Sequence, residues 1–163
     1  ILDRLPPDVK CAEVLVREED LEDLFMIPVD NWYADSGGTF RLLDTIENLK
    51  PGRYCDAGSG PQPVNHFDRV EKQVTYFAND DPTRPEEYLV LISTTKEGPF
   101  TIIDGTHRAA ALLGMHRREP NLPWNAFLMR SPSMHSCRWH IGADQMVDIL
   151  AQFRGLADQG RLG

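Results

Sequence analysis

Two periods of apolar positions alternate along the first fifty residues. Ala12-Glu13-Val14-Leu15-Val16 reads as a short strand. From Arg17 to Phe25 the apolar side chains fall at 21, 24 and 25, with Glu18, Glu19 and Asp20 in the first turn. That spacing predicts an amphipathic helix whose acids sit at the favourable end of its dipole. A loop at Asp35-Ser36-Gly37-Gly38 leads to a second predicted helix, Thr39 to Leu49, apolar at 40, 42, 43, 46 and 49. Lys50-Pro51-Gly52 stops it, since proline and glycine cannot continue a helix cheaply.

Residues 52–87 hold much of the proline and glycine and are expected to be irregular, with a strand at Val74-Thr75-Tyr76-Phe77. The pattern sharpens afterwards. Tyr88 to Ser93 and Phe100 to Asp104 are aliphatic and β-branched, and Lys96-Glu97-Gly98-Pro99 lies between them, which predicts a hairpin of buried strands. A helix from His107 to Leu113 follows, ended by Gly114. Trp124 to Met129 reads as another strand. A closing helix spans about Ala143 to Ala157, apolar at 146, 147, 149, 150, 153 and 156. The order predicts an α/β (α+β) fold, a mixed sheet with packed helices, and one domain over residues 1–163.

Composition agrees with that picture. The chain has 163 residues, 41% hydrophobic and 26% charged, enough apolar content for one core and too much for a disordered chain. Its longest apolar runs are far shorter than the ~20 residues a membrane-spanning helix needs, so no membrane segment is expected. The opening ILDRLPPDVK carries Asp3 and Arg4 and no initiator Met, so no signal peptide is expected and residues are expected to precede it. Three widely spaced cysteines, Cys11, Cys55 and Cys137, give no disulfide framework and suggest a reducing compartment. The net charge is −8, which argues against a general nucleic-acid coat. Residues 1–50 carry 12 acidic and 5 basic side chains, and residues 104–163 carry 5 and 7. An anion site is therefore expected in the last third.

The chemistry concentrates in Ile102-Ile103-Asp104-Gly105-Thr106-His107-Arg108-Ala109-Ala110-Ala111. A strand ends in an acid, a glycine permits a sharp turn, and a helix starts at once. The first N–H groups of that helix are unpaired and lie at its positive end, which suits a phosphate. Thr106 is an N-cap candidate or a hydroxyl for a phosphate oxygen. His107 adds a titratable group and Arg108 a fixed charge. Two cations in a first turn oppose the helix dipole unless an anion binds between them. The simpler reading is a capped helix start with both side chains solvated.

This stretch resembles the Asp-Gly-x-His-Arg signature of the ParB/sulfiredoxin superfamily, including the alanines and the glycine that follow. The preceding hairpin, the N-terminal strand with its acidic helix and the strand after the motif share that family's order, and close similarity covers about residues 88–130. The resemblance implies a small α/β fold whose loop grips nucleotide phosphates. It implies ATP and Mg²⁺ as cofactors, with Gly105, Thr106, His107 and Arg108 on the phosphates and Asp104, His107 and Arg108 as catalytic residues. Asp104 and Glu19 are the implied metal ligands. Members include partition proteins that hydrolyse nucleotides, some of them nucleases, and free-serine kinases. Thr106 stands where sulfiredoxin needs a cysteine, so sulfinic-acid repair is not expected. No helix-turn-helix follows the motif, so operator binding is not expected either. Over the whole chain the resemblance extends to plasmid fertility-inhibition factors. That implies an ATPase with DNase activity, a bacterial cytoplasmic location and a conjugation-machinery partner.

Other segments offer less. Asp56-Ala57-Gly58-Ser59-Gly60 reads as a loop, and His135, Cys137 and His140 lack a fourth nearby ligand for structural zinc. Trp124 and Trp139 are expected in the core. Arg117, Arg118 and Arg130, with Arg138, are candidates to track a DNA backbone, or else solvated charges. The binding of DNA by so acidic a chain is expected to be weak and salt-sensitive. A small-molecule hydroxyl kinase and a non-catalytic inhibitor acting through the acidic residues 18–23 remain alternatives.

Overall fold

The computed structural model describes residues 4–49, 65–79, 88–117 and 124–161. Five strands form one mixed sheet: β1 (Lys10–Val16), β2 (Leu24–Met26), β3 (Leu89–Ser93), β4 (Phe100–Asp104) and β5 (Trp124–Arg130). Their order is β1-β5-β3-β4-β2. The predicted hairpin is present as antiparallel β3 and β4, β5 lies parallel to β3 and antiparallel to β1, and β2 lies parallel to β4.

Successive residues on a strand face opposite sides of a sheet, and the core divides accordingly. Leu91 and Ile102 join the larger cluster with Leu24, Leu42, Trp32 and the buried part of α4 (Thr106–His116). Ile92 and Ile103 face a smaller cluster with Met134, Cys137 and Trp139. Thr101 Oγ1 accepts the Ile141 N–H at 2.8 Å, tying the chain after β5 to the sheet. Trp124 and Trp139 are both buried, as expected.

Several predicted elements change identity. The helix expected over Arg17–Phe25 is a 3₁₀ turn, Glu18–Asp23, followed by β2. Leu24, Phe25 and Met26 are all buried, and three consecutive buried positions suit a short strand inside the fold better than one helix face. The helix expected from Thr39 is α2, Leu42–Asn48, and a further helix, α1 (Asp30–Asp35), precedes the Ser36-Gly37-Gly38 turn. The strand expected at Val74–Phe77 is part of α3, His66–Ala78. Phe67, Val70, Val74 and Phe77 recur at helical spacing, and Asn65 caps the start by accepting the Asp68 N–H at 3.1 Å. The α4 helix continues past Gly114, which keeps an ordinary helical backbone instead of the left-handed geometry of a stop. The closing helix is α5, Met146–Asp158. Lys50-Pro51-Gly52 and the Asp56–Gly60 segment lie outside the described residues. Among the described residues no helix is long and apolar enough to cross a membrane.

Candidate functional site at the start of α4

Gly105 makes the junction between β4 and α4. Its φ of +81° is left-handed, and a Cβ there would stand 2.9 Å from Leu89 Cδ2 and 3.0 Å from the Arg108 guanidinium. Only glycine fits that turn without strain. Gly105 is itself the N-cap residue, so Thr106 is the first helical residue and no side chain caps the helix. The first N–H groups of α4 are thus left for a ligand or water. Ala109, Ala110 and Ala111 are fully buried, which lets α4 sit close to both the sheet and α3.

A cavity of about 280 Å³ opens at this point, lined by Asp104, Gly105, Thr106, His107, Arg108 and, from α3, Gln73. All five motif residues named from the sequence therefore share one depression. Asp104 is exposed and its Oδ2 accepts from Arg108 Nη2 at 3.2 Å, an i,i+4 pair along the helix start. Gln73 Oε1 and His107 Nε2 are buried and find no hydrogen-bond partner among the described residues.

His107 corrects the sequence argument. Its ring packs against two others, 5.1 Å from Trp32 and 4.9 Å from His66 between centroids. Burial, and then the positive charge of Arg69, push its pKa down to about 4. His66 is pushed down to about 4 by burial, by His107 and by Arg69. At pH 7 both rings are neutral, so the first turn of α4 carries one cation, Arg108. A further positive charge acting on His107 is Arg69, from α3.

The remaining candidates lie elsewhere. Glu19 pairs with Arg17 at 3.4 Å on the surface and lines a different depression, with Val14, Leu91, Lys96 and Phe100. It is not brought to Asp104, and among the described residues no group of three or more His, Cys, Asp and Glu is placed to hold a metal ion. Arg117 is paired with Glu47 at 3.3 Å at the far end of α4, about 14 Å along the helix from Arg108 by its rise per residue. Arg130 pairs in register with Ser93, whereas Asp104 pairs with Val90, so the two occupy opposite ends of the sheet. Arg118 lies outside the described residues. The structure does not gather Arg117 and Arg130 into one track with the motif. His135 is exposed and bound to the Pro132 carbonyl, Cys137 is buried, and His140 is held by Gln145 at 3.3 Å. These are members of a folded turn.

Five contributors were not singled out in the sequence: Trp32 and Asp35 on α1, and His66, Arg69 and Gln73 on α3. The period of Phe67, Val70, Val74 and Phe77 was the signal that would have exposed the second group. Set against protein-family models, curated proteins and solved structures, the chain gives no significant match to any.

Proposed function

We propose that the chain is a nucleotide-binding phosphohydrolase of ParB/sulfiredoxin type that seats the β- and γ-phosphates of ATP on the start of α4. The observation that carries this reading is the uncapped turn at Gly105, which leaves the leading N–H groups of α4 facing a polar cavity beside Arg108. Oriented N–H groups and a guanidinium stabilise the charge that develops in phosphoryl transfer, and positioning plus electrostatics is most of what that reaction asks of a protein. The order hairpin, turn, α4, then β5 beside β3 supports the fold-family assignment.

In this reading Arg108 binds the transferred group and Thr106 supplies a hydroxyl. Neutral His107 accepts a proton or a hydrogen bond instead of bringing positive charge. The donor set suits Mg²⁺ only through Asp104, an exposed carboxylate at the cavity. An Mg²⁺ ion arriving with the nucleotide would neutralise phosphate charge there, and Glu19 does not fit as a second ligand.

A phosphodiester is chemically equivalent at such a cradle, so DNA cleavage, and through it a plasmid-encoded block on transfer of rival DNA, belong to the same proposal. The experiment is ADP release from ATP and Mg²⁺, alone, with DNA and with free serine, beside His107→Ala and Arg108→Ala. Turnover sharply reduced, but still measurable, in both variants supports the site. Stimulation and phosphorylation of serine would move the assignment to a kinase. No turnover in any arm would overturn the enzymatic reading and turn attention to the acidic residues 18–23, of which Glu18 and Glu19 are exposed.

A further inference from the structure

Behind His107 lies a buried polar cluster that the phosphate-binding motif does not account for. Trp32 and Asp35 are three residues apart on α1 and both are buried, Asp35 with 2% of its surface exposed. His66 opens α3 and is 5% exposed. Its Nδ1 stands 3.4 Å from Asp35 Oδ2, at ion-pair distance. Its ring meets Trp32 edge-on at 4.1 Å between centroids, and both rings meet His107. Three rings from three helices thus converge, and among the described residues His107 alone of the three lines the cavity.

Such a cluster is expensive. An acid and an imidazole taken out of water cost several kcal/mol unless they find partners, and apolar side chains of similar volume usually fill such a place more stably. Buried polar groups earn retention where they fix geometry that apolar packing leaves loose. Asp35 meets His66, and His66 in turn meets the ring of His107.

We propose that Asp35 and His66 are positioning residues for His107: Asp35 anchors the His66 ring, and His66 with Trp32 clamps the His107 ring in one orientation toward the cavity at the start of α4. The functional half of this proposal rests on the phosphohydrolase reading; the orientation does not. Among the described residues the charged groups bearing on the cluster are Asp35 from α1 and Arg69 from α3. Burial keeps both imidazoles neutral at pH 7, so the clamp adds no charge to the phosphate site.

The test uses the whole chain with Asp35→Asn, which keeps size and shape, and His66→Phe, which keeps a ring against Trp32 but cannot engage Asp35. The first readout is the His107 imidazole in a ¹H–¹⁵N spectrum. The wild type is expected to give one sharp set of ring signals shifted by the neighbouring aromatic faces. In both variants these signals broaden or move toward random-coil positions. The second readout is kinetic: kcat for nucleotide hydrolysis falls roughly 10- to 100-fold with KM within about twofold, as for a misplaced catalytic group. The double variant His66→Phe/His107→Ala is then no slower than His107→Ala, because His66 acts only through His107. Should His66→Phe not fold, Asp35→Asn carries the spectroscopic and kinetic readouts, with Asp35→Asn/His107→Ala as its double variant. Unchanged His107 signals in Asp35→Asn would overturn the proposal whatever the activity, and so would losses that multiply in the double variant. Altered ring signals in a protein that hydrolyses no nucleotide would uphold the positioning and refute the phosphohydrolase reading.

Discussion

Acid should loosen this fold through His107 before it titrates ordinary carboxylates. The ring's pKa lies near 4 in the folded protein, lowered first by burial and then by Arg69, against about 6.5 in an unfolded chain. Between those values the unfolded state binds more protons, so stability falls as pH drops. It is fully present above pH ~6.5, declines through the window and stops declining near pH ~4. At pH 5 linkage gives a loss of about 2 kcal/mol from this one ring. His66 has the same sign, pulled down by burial, His107 and Arg69, although Asp35 at 3.4 Å pulls the other way and reduces its share. His140, lowered by burial, also acts in this direction. The contribution of His107 is therefore read as a difference. Urea unfolding of the wild type and of His107→Leu would be followed at pH 7, 6 and 5. With an m-value of ~2 kcal/mol per molar, the wild-type midpoint should fall by about 1 M more than the variant's between pH 7 and 5. If the two lose stability in parallel, within about 0.5 kcal/mol, His107 is not the buried neutral ring described above.

Gly105→Ala forces a left-handed backbone and a Cβ against Leu89 and Arg108, so it should cost about 1–2 kcal/mol from the backbone alone, or about 2–8 °C in Tm, and weaken ATP binding by displacing the guanidinium; an unchanged Tm in a thermal melt would count against the turn. Thr101→Val leaves the Ile141 N–H without its acceptor and should cost about 1–3 kcal/mol by urea unfolding, with no direct effect on nucleotide affinity. Arg69→Ala and Arg108→Ala should each raise the ATP dissociation constant roughly tenfold or more, while Arg117→Ala stays within about twofold; equal effects in a titration would refute the location of the anion site. DNA binding, where it occurs, should fall steeply between about 50 and 200 mM salt, and tight salt-insensitive binding would contradict a phosphate cradle on a chain of charge −8.

The part of the site legible in the sequence is the part that is local. Asp104 to Arg108 are consecutive, and the physics of a strand, a glycine and a helix start operates within five residues, so their shared cavity follows from order alone. The hairpin of β3 and β4 was legible for the same reason. What failed is long-range. Whether Leu24-Phe25-Met26 becomes a strand depends on β4, some 75 residues away, offering Phe100 to Ile102 as partners. No window of local periodicity contains that information. The α3 helix is hidden differently: its apolar period is present, but the surrounding prolines and glycines and the β-branched pair Val74-Thr75 favour loop and strand locally.

That single omission changed the chemistry. Read without α3, the first turn of α4 holds two cations, His107 and Arg108, and an anion between them is what would reconcile them with the helix dipole. With α3 in place, His66 and Trp32 pack against His107, the imidazole loses its charge, and Arg69 on the same helix as His66 brings a positive charge to bear on it. The argument for an anion at this site then rests on Arg108 and the uncapped helix start, not on a charged imidazole. A histidine's charge state is a property of the elements packed around it, and the motif that contains His107 cannot set it.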